Sequence, residues 1–201
     1  MKKVFFLAFT CVLISSGLHA QTTQGSMTLG GNFGYSSSKS ENAYGNTDYT
    51  SSSFQVSPKA GYFIMDNLEV GLELGISTGK SGLDGFDPTK TNSFSVGPYA
   101  RYYKFTSNDR FAFTGALGFS FGSGKSSTGN SENKTGSMGI SIAPGFVYFL
   151  TERWGLDFQL DGIGFSSYDP NKDVDNNNQK EFTFNISSLS PTLGFRYYIS
   201  K

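Results

Sequence analysis

The sequence predicts an all-β chain, an eight-stranded antiparallel transmembrane up-and-down β-barrel that crosses a membrane with its strands. Three observations carry this expectation. Apolar and small or polar residues alternate with period two along segment after segment. The connections between segments alternate between short turns and long Ser/Asn/Gly/Asp-rich stretches. The chain is also rich in aromatics (16%) and poor in charge (16%), whereas a soluble domain carries roughly 25% charged residues. Such an aromatic chain is not disordered. A mean hydropathy of -0.28 speaks against a bundle of membrane helices. A formal charge of +0 among 201 residues gives no sign of nucleic-acid binding.

The first element is not a strand. Lys2 and Lys3 precede an apolar run from Val4 to Ile14, followed by small residues and Leu18-His19-Ala20-Gln21. This is the layout of a secretory signal peptide over residues 1–20, cleaved after Ala20, with the barrel domain spanning 21–201. The apolar run is too short for a membrane span, which takes about 20 residues. Cleavage would remove Cys11 and His19, the only Cys and His in the chain. The mature protein would then lack disulfides, Cys/His zinc sites and every Ser-His-Asp or Cys-His nucleophile pair. No catalytic residue, metal site or cofactor is expected.

Strands follow near 27–36, 53–64, 68–77, 92–105, 110–122, 136–150, 153–165 and 181–199. In the third, Leu68, Val70, Leu72, Leu74 and Ile76 form one face. In the fifth it is Phe111, Phe113, Leu117, Phe119 and Phe121, and in the seventh Trp154, Leu156, Phe158 and Leu160, continuing to Gly162. The opposite face is small or polar, as in Glu69, Gly71, Glu73 and Gly75. A soluble barrel would turn the apolar face inward, but that face is larger than a small lumen needs, and glycine suits a crowded interior better than a solvated exterior. The eighth strand changes parity between Ile186 and Leu189, which asks for a β-bulge near Ser187-Ser188. Short turns fall at 65–67, 106–109 and 151–152, and long loops at 37–52, 78–91, 123–135 and 166–180.

A repeat lies in the prolines. Pro58, Pro98, Pro144 and Pro191 are spaced by about 40 to 47 residues, each with an apolar residue two before it and aromatics just after. Each unit therefore holds one β-hairpin. Proline removes a ladder donor, so these four are expected to mark bulges on the even strands.

The segments Ser57-Pro58-Lys59-Ala60-Gly61-Tyr62-Phe63, Asp66-Asn67-Leu68-Glu69-Val70-Gly71 and Gly97-Pro98-Tyr99-Ala100-Arg101-Tyr102-Tyr103 resemble those of the small porin-like, eight-stranded outer-membrane β-barrels of Gram-negative bacteria. The resemblance covers essentially the whole mature chain. It implies residence in the outer membrane, contact with outer-membrane lipid and lipopolysaccharide, and a monomer. It also implies an assembly signal read by the barrel-insertion machinery, supplied by Thr192, Gly194, Tyr197 and Ile199, with Ser200-Lys201 as an extension beyond the usual ending. No domain is expected after the eighth strand. The family does not fix a single activity.

Seven charges fall on the inward face: Lys59, Arg101 and Arg196 against Glu69, Glu73, Asp157 and Asp161. The short turn at 65–67 sets Lys59 opposite Glu73 as an ion pair. The main expectation is a structural network that fills the lumen, joined by Tyr99, Tyr103 and Tyr198. The alternative is a narrow path for water, ions or small solutes, a porin-like channel. Gly79-Lys80-Ser81 and Gly124-Lys125-Ser126 look like phosphate loops, but Leu74 and Phe119 stand where the motif needs glycine. The oxygen-rich stretch from Asp169 to Asn177 fails the calcium-loop pattern at Val174 and Lys180. A solvated loop is expected there, with a weak divalent site bridging lipopolysaccharide phosphates as the lesser reading. Asp157 and Asp161 sit roughly 13 Å apart on one strand, too far for an acid–base dyad.

Overall fold

The computed structural model describes residues 21–44, 47–160, 162–172, 174, 177–184 and 192–200. Nearly all of them are β-strand. In chain order these are β1 (Met27–Tyr44), β2 (Thr47–Met65), β3 (Leu68–Leu83), β4 (Thr89–Phe105), β5 (Phe111–Thr128), β6 (Ser131–Phe149), β7 (Trp154–Gln159), β8 (Ile163–Asp169), β9 (Gln179–Phe184) and β10 (Thr192–Ile199). Each of the first six is one crossing. The seventh consists of β7 and β8, which both pair with β6; the eighth consists of β9 and β10, which pair with β8 and β7 respectively. Every neighbouring pair is antiparallel, and β10 returns to β1 to close the eight-crossing barrel.

Period-two burial fixes which face looks where. Phe33 and Tyr35 are each 72% exposed, and Leu72, Leu74, Ile76, Phe119 and Phe121 are exposed on the same outer surface. Glu69 is fully buried and Arg101, Asp157 and Arg196 nearly so. An exterior of large apolar side chains around an interior of charge inverts the soluble pattern and belongs to a barrel in lipid.

The short-turn end is closed by side chains. Phe63, Tyr103, Ala112, Val147, Phe149 and Tyr198 form its buried core, with Phe105 packed against them. The segment before β1 lies across this end. Thr22 donates its hydroxyl to Asn67 Oδ1 (2.7 Å), the Asn67 amide donates to the Thr22 carbonyl (2.8 Å), and Gln21 Nε2 reaches the Thr151 carbonyl (3.1 Å). Asn67 takes φ 64°, a left-handed conformation that Asn tolerates better than most residues, to complete the tight β2–β3 turn.

Four sequence expectations change. First, the stretches 37–52, 78–91 and 123–135 are mostly strand: β1 and β2 stay paired up to Tyr44 and Thr47, and β5 and β6 up to Thr128 and Ser131. Thr favours strands, and in the Ser-rich runs the hairpin partner satisfies the backbone well beyond the apolar band. Gly129 (φ 56°) makes the two-residue turn between β5 and β6.

Second, Pro58 and Pro98 cause no bulge. The β2–β3 ladder passes from Val56↔Ile76 to Lys59↔Glu73, and the β4–β5 ladder from Val96↔Phe121 to Tyr99↔Gly118, without a change of register. Each proline turns its missing donor toward one neighbour and stays in register with the other, as in Gly31↔Pro58 and Leu72↔Pro98. Two skipped rungs suffice.

Third, Pro144 does coincide with an irregularity, but in the partner crossing. Register moves from Ile142↔Ile163 to Gly145↔Gln159, so β6 advances three residues while the seventh crossing advances four. The register gains its extra residue between Gln159 and Ile163, opposite the proline, and the Leu160 amide bonds the Pro144 carbonyl (2.9 Å). Fourth, this bulge flips the parity that was expected to run unbroken to Gly162: beyond it the odd residues Ile163 and Phe165 face outward. Pro191 and the expected bulge at Ser187-Ser188 lie outside the described residues.

Candidate functional site: the charged lumen

The inward charges come from β2, β3, β4, β7 and β10, and the register brings them to neighbouring levels. Glu69 stands beside Arg101 across β3–β4, and Gly194 stands beside Asp157 across β7–β10. Arg101 grips Asp157 with both terminal nitrogens, Nη1 to Oδ2 and Nη2 to Oδ1, each at 2.6 Å, and Nη2 also donates to Thr114 Oγ1 at 2.9 Å. This two-point geometry is the strongest form of the Arg–carboxylate contact. Arg196 bridges the two acids: Nη2 and Nε lie 3.2 and 3.3 Å from Asp157 Oδ2, and Nη1 donates to Glu69 Oε1.

Glu69 collects the remaining donors. The hydroxyls of Thr28 and Tyr99 bond its Oε1, the latter at 2.6 Å, and the Tyr103 hydroxyl bonds Oε2. The Arg101 guanidinium also stacks over the Tyr103 ring at 5.1 Å. The result is an unbroken line, Glu69–Arg196–Asp157–Arg101, in which two cations balance two anions. Burying four charges is costly, and only this degree of pairing and hydrogen bonding offsets it.

One step toward the long hairpins, Lys59 faces Glu73, with Nζ 3.1 Å from Oε2, and donates to Gln159 Oε1 at 3.2 Å. A cavity of about 50 Å³ lies between this pair and the arginines, bounded also by Gly118 and Ser141. It is large enough for water. On the other side of the network lies the aromatic floor. Tyr103 belongs to both layers through its bond to Glu69, whereas Tyr198, expected to join the network, belongs to the floor alone, its buried hydroxyl bonding no described group. Glycine makes this packing possible. A Cβ on Gly61 would fall onto the Glu69 carboxylate and within 2.7 Å of the Thr28 hydroxyl.

Six of the seven inward charges named from sequence are therefore described, and they form two adjoining groups. Asp161 lies outside the described residues. Thr28, Thr114 and Gln159 were not singled out from sequence, although Thr28 and Thr114 lay on the small polar face. The stretch Gln21–Ser26 carried no strand pattern to reveal it. Thr192, Gly194, Tyr197 and Ile199 all lie on β10, with Gly194 buried against β1 and the Tyr197 ring packed at a tilt against Trp154, 5.0 Å between ring centres. Among the described residues, no group of three acidic, His or Cys side chains is arranged to hold a metal ion.

The model of the outer membrane protein beta-barrel domain family matches residues 5–188. The chain belongs to this family. A member of it resides in the outer membrane. Among solved structures, the outer membrane protein OprG of Pseudomonas aeruginosa shares the fold at 18% identity and TM-score 0.51, covering 90% of this chain and 99% of that one. Neisserial surface protein A matches at 16% identity and TM-score 0.46 over 87% of this chain and 99% of that one. The N-terminal β-barrel domain of Pseudomonas aeruginosa OprF matches at 15% and 0.44 over 88% and 98%. No curated protein matches the chain.

Proposed function

We propose that this outer-membrane barrel is a closed, non-catalytic scaffold that acts through its extracellular hairpins and does not conduct solutes. The observation that carries this reading is the layering of the lumen: the paired network around Arg196 lies directly on the aromatic floor of Phe63, Tyr103, Phe149 and Tyr198. A permeant ion would have to separate buried arginines from buried carboxylates and then pass an apolar layer, a cost of several kcal/mol.

The non-catalytic reading rests on the sequence, since a chain cleaved after Ala20 keeps neither His nor Cys. The chain is monomeric on this view. It meets the barrel-insertion machinery through Thr192, Gly194, Tyr197 and Ile199, and the lipid and lipopolysaccharide of the outer membrane through its outer surface. The narrow channel is the second reading, and the polar cavity of about 50 Å³ beside Lys59 and Glu73 is what favours it. Liposome swelling separates the two. Proteoliposomes carrying the folded chain should swell in small sugars no faster than empty liposomes; swelling that scales with protein content would establish the channel.

A further inference from the structure

The outer surface carries a feature that the sealed lumen does not use. By strand parity, Lys39 on β1, Lys80 on β3, Lys90 on β4, Lys125 on β5, Lys134 on β6 and Lys180 on β9 all point outward, and all are exposed. Their heights are not scattered. On β1 and β3–β6 each lysine stands four residues beyond a large outward side chain at the top of the apolar band: Tyr35, Ile76, Phe94, Phe121 or Met138. On β9, Lys180 is two residues beyond Phe182. Four residues on a tilted strand amount to about 10 Å along the membrane normal. The lysines thus form a basic ring just above the hydrocarbon.

Two pairs of this ring are directly opposed in the ladder, Lys80↔Lys90 and Lys125↔Lys134. Like charges facing each other across strands are unfavourable without an anion to share. Lys39 and Lys125 have protein partners, Asp48 at 2.7 Å and Glu132 at 2.9 Å. Among the described residues, no carboxylate lies within 4 Å of Lys80 or Lys90. Beneath that pair runs a groove of about 340 Å³ lined by Tyr35, Phe54, Thr78, Lys80, Lys90 and Asn92. Its floor is aromatic and its upper rim is cationic and hydrogen-bonding.

We propose that the Lys80–Lys90 groove binds the phosphorylated sugar headgroup of an outer-leaflet glycolipid, as the strongest point of a lysine ring that sits at the level of the lipid phosphates. The phosphate is held between the two ammonium groups, Thr78 and Asn92 meet the sugar, and an acyl chain lies on Tyr35 and Phe54. The basic rim selects an anion, the aromatic floor selects a lipid, and the height above the apolar band selects the headgroup layer. The assignment rests on outer-membrane residence and not on the closed lumen, so either can fail alone.

The test uses the full folded chain in detergent, titrated with bisphosphorylated lipid A and with dephosphorylated lipid A, with bound lipid counted by native mass spectrometry. The phosphorylated lipid should bind about tenfold more tightly, and K80Q/K90Q should lose about that factor while K80R/K90R retains binding. K104Q, at the exposed opposite end of β4, should leave binding unchanged. Excess inorganic phosphate should not displace the lipid. Equal binding of the two lipids, undiminished binding by K80Q/K90Q, or displacement by free phosphate would each overturn the proposal. Heat-modifiable migration on gels checks that every variant is folded.

Discussion

Arg196 holds two buried carboxylates at once, so its removal leaves Glu69 without a cation and Asp157 with Arg101 alone. Arg196→Met should therefore cost about 3 kcal/mol or more in urea-induced unfolding from lipid vesicles, because an unpaired charge remains inside. Gly61→Val should be as damaging for a steric reason, since its side chain would occupy the space of the Glu69 carboxylate. Asn67→Ala should cost about 1–2 kcal/mol, combining left-handed strain with loss of the Thr22 contact, and Asn67→Gly should cost less. Beyond the hydrocarbon, the hydrogen bond from Lys125 holds the Glu132 carboxyl below its ordinary range. A lowered carboxylate pKa stabilises the fold above the unfolded value, and this is lost as pH falls through the folded one. Carboxyl NMR should show Glu132 titrating below a free glutamate and returning toward it in Lys125→Gln. These residues differ in how readable they were. The inward charges stood out because charge is rare on an alternating strand, whereas Thr28 and Thr114 looked like any small polar residue until the register placed them beside Glu69 and Arg101.

At the scale of the element, alternation located the crossings, because a half-lipid, half-lumen strand must obey period two. It stopped being informative where the outer face left the membrane. Above Tyr35 and Phe54 both faces of β1 and β2 are mostly Ser and Thr with a few charged residues such as Lys39, Glu41 and Asp48, so a paired strand and a solvated loop have nearly the same composition there. Pairing decides the matter and is invisible in one segment alone. The prolines teach the same lesson, since the backbone at Pro58 and Pro98 gives up rungs on one side and keeps its register, while at Pro144 the accommodation lies in the other strand. Amide hydrogen exchange in lipid vesicles should accordingly find Ser36–Ser40 and Thr50–Ser53 protected like the membrane-embedded part of β1 and β2; exchange at loop-like rates would contradict their pairing.

The whole molecule is a barrel closed at one end and layered along its axis: an aromatic floor covered by the Gln21–Ser26 segment, a balanced ion network, a small polar cavity, and paired hairpins above. Single-channel recording in planar bilayers tests this closure most directly. The wild-type chain should give no conductance steps, and Glu69→Ser/Arg101→Ser/Asp157→Ser/Arg196→Ser combined with Phe63→Ala and Phe149→Ala should, if folded, conduct through the emptied lumen. Regular ohmic steps from the purified wild-type protein would contradict the account.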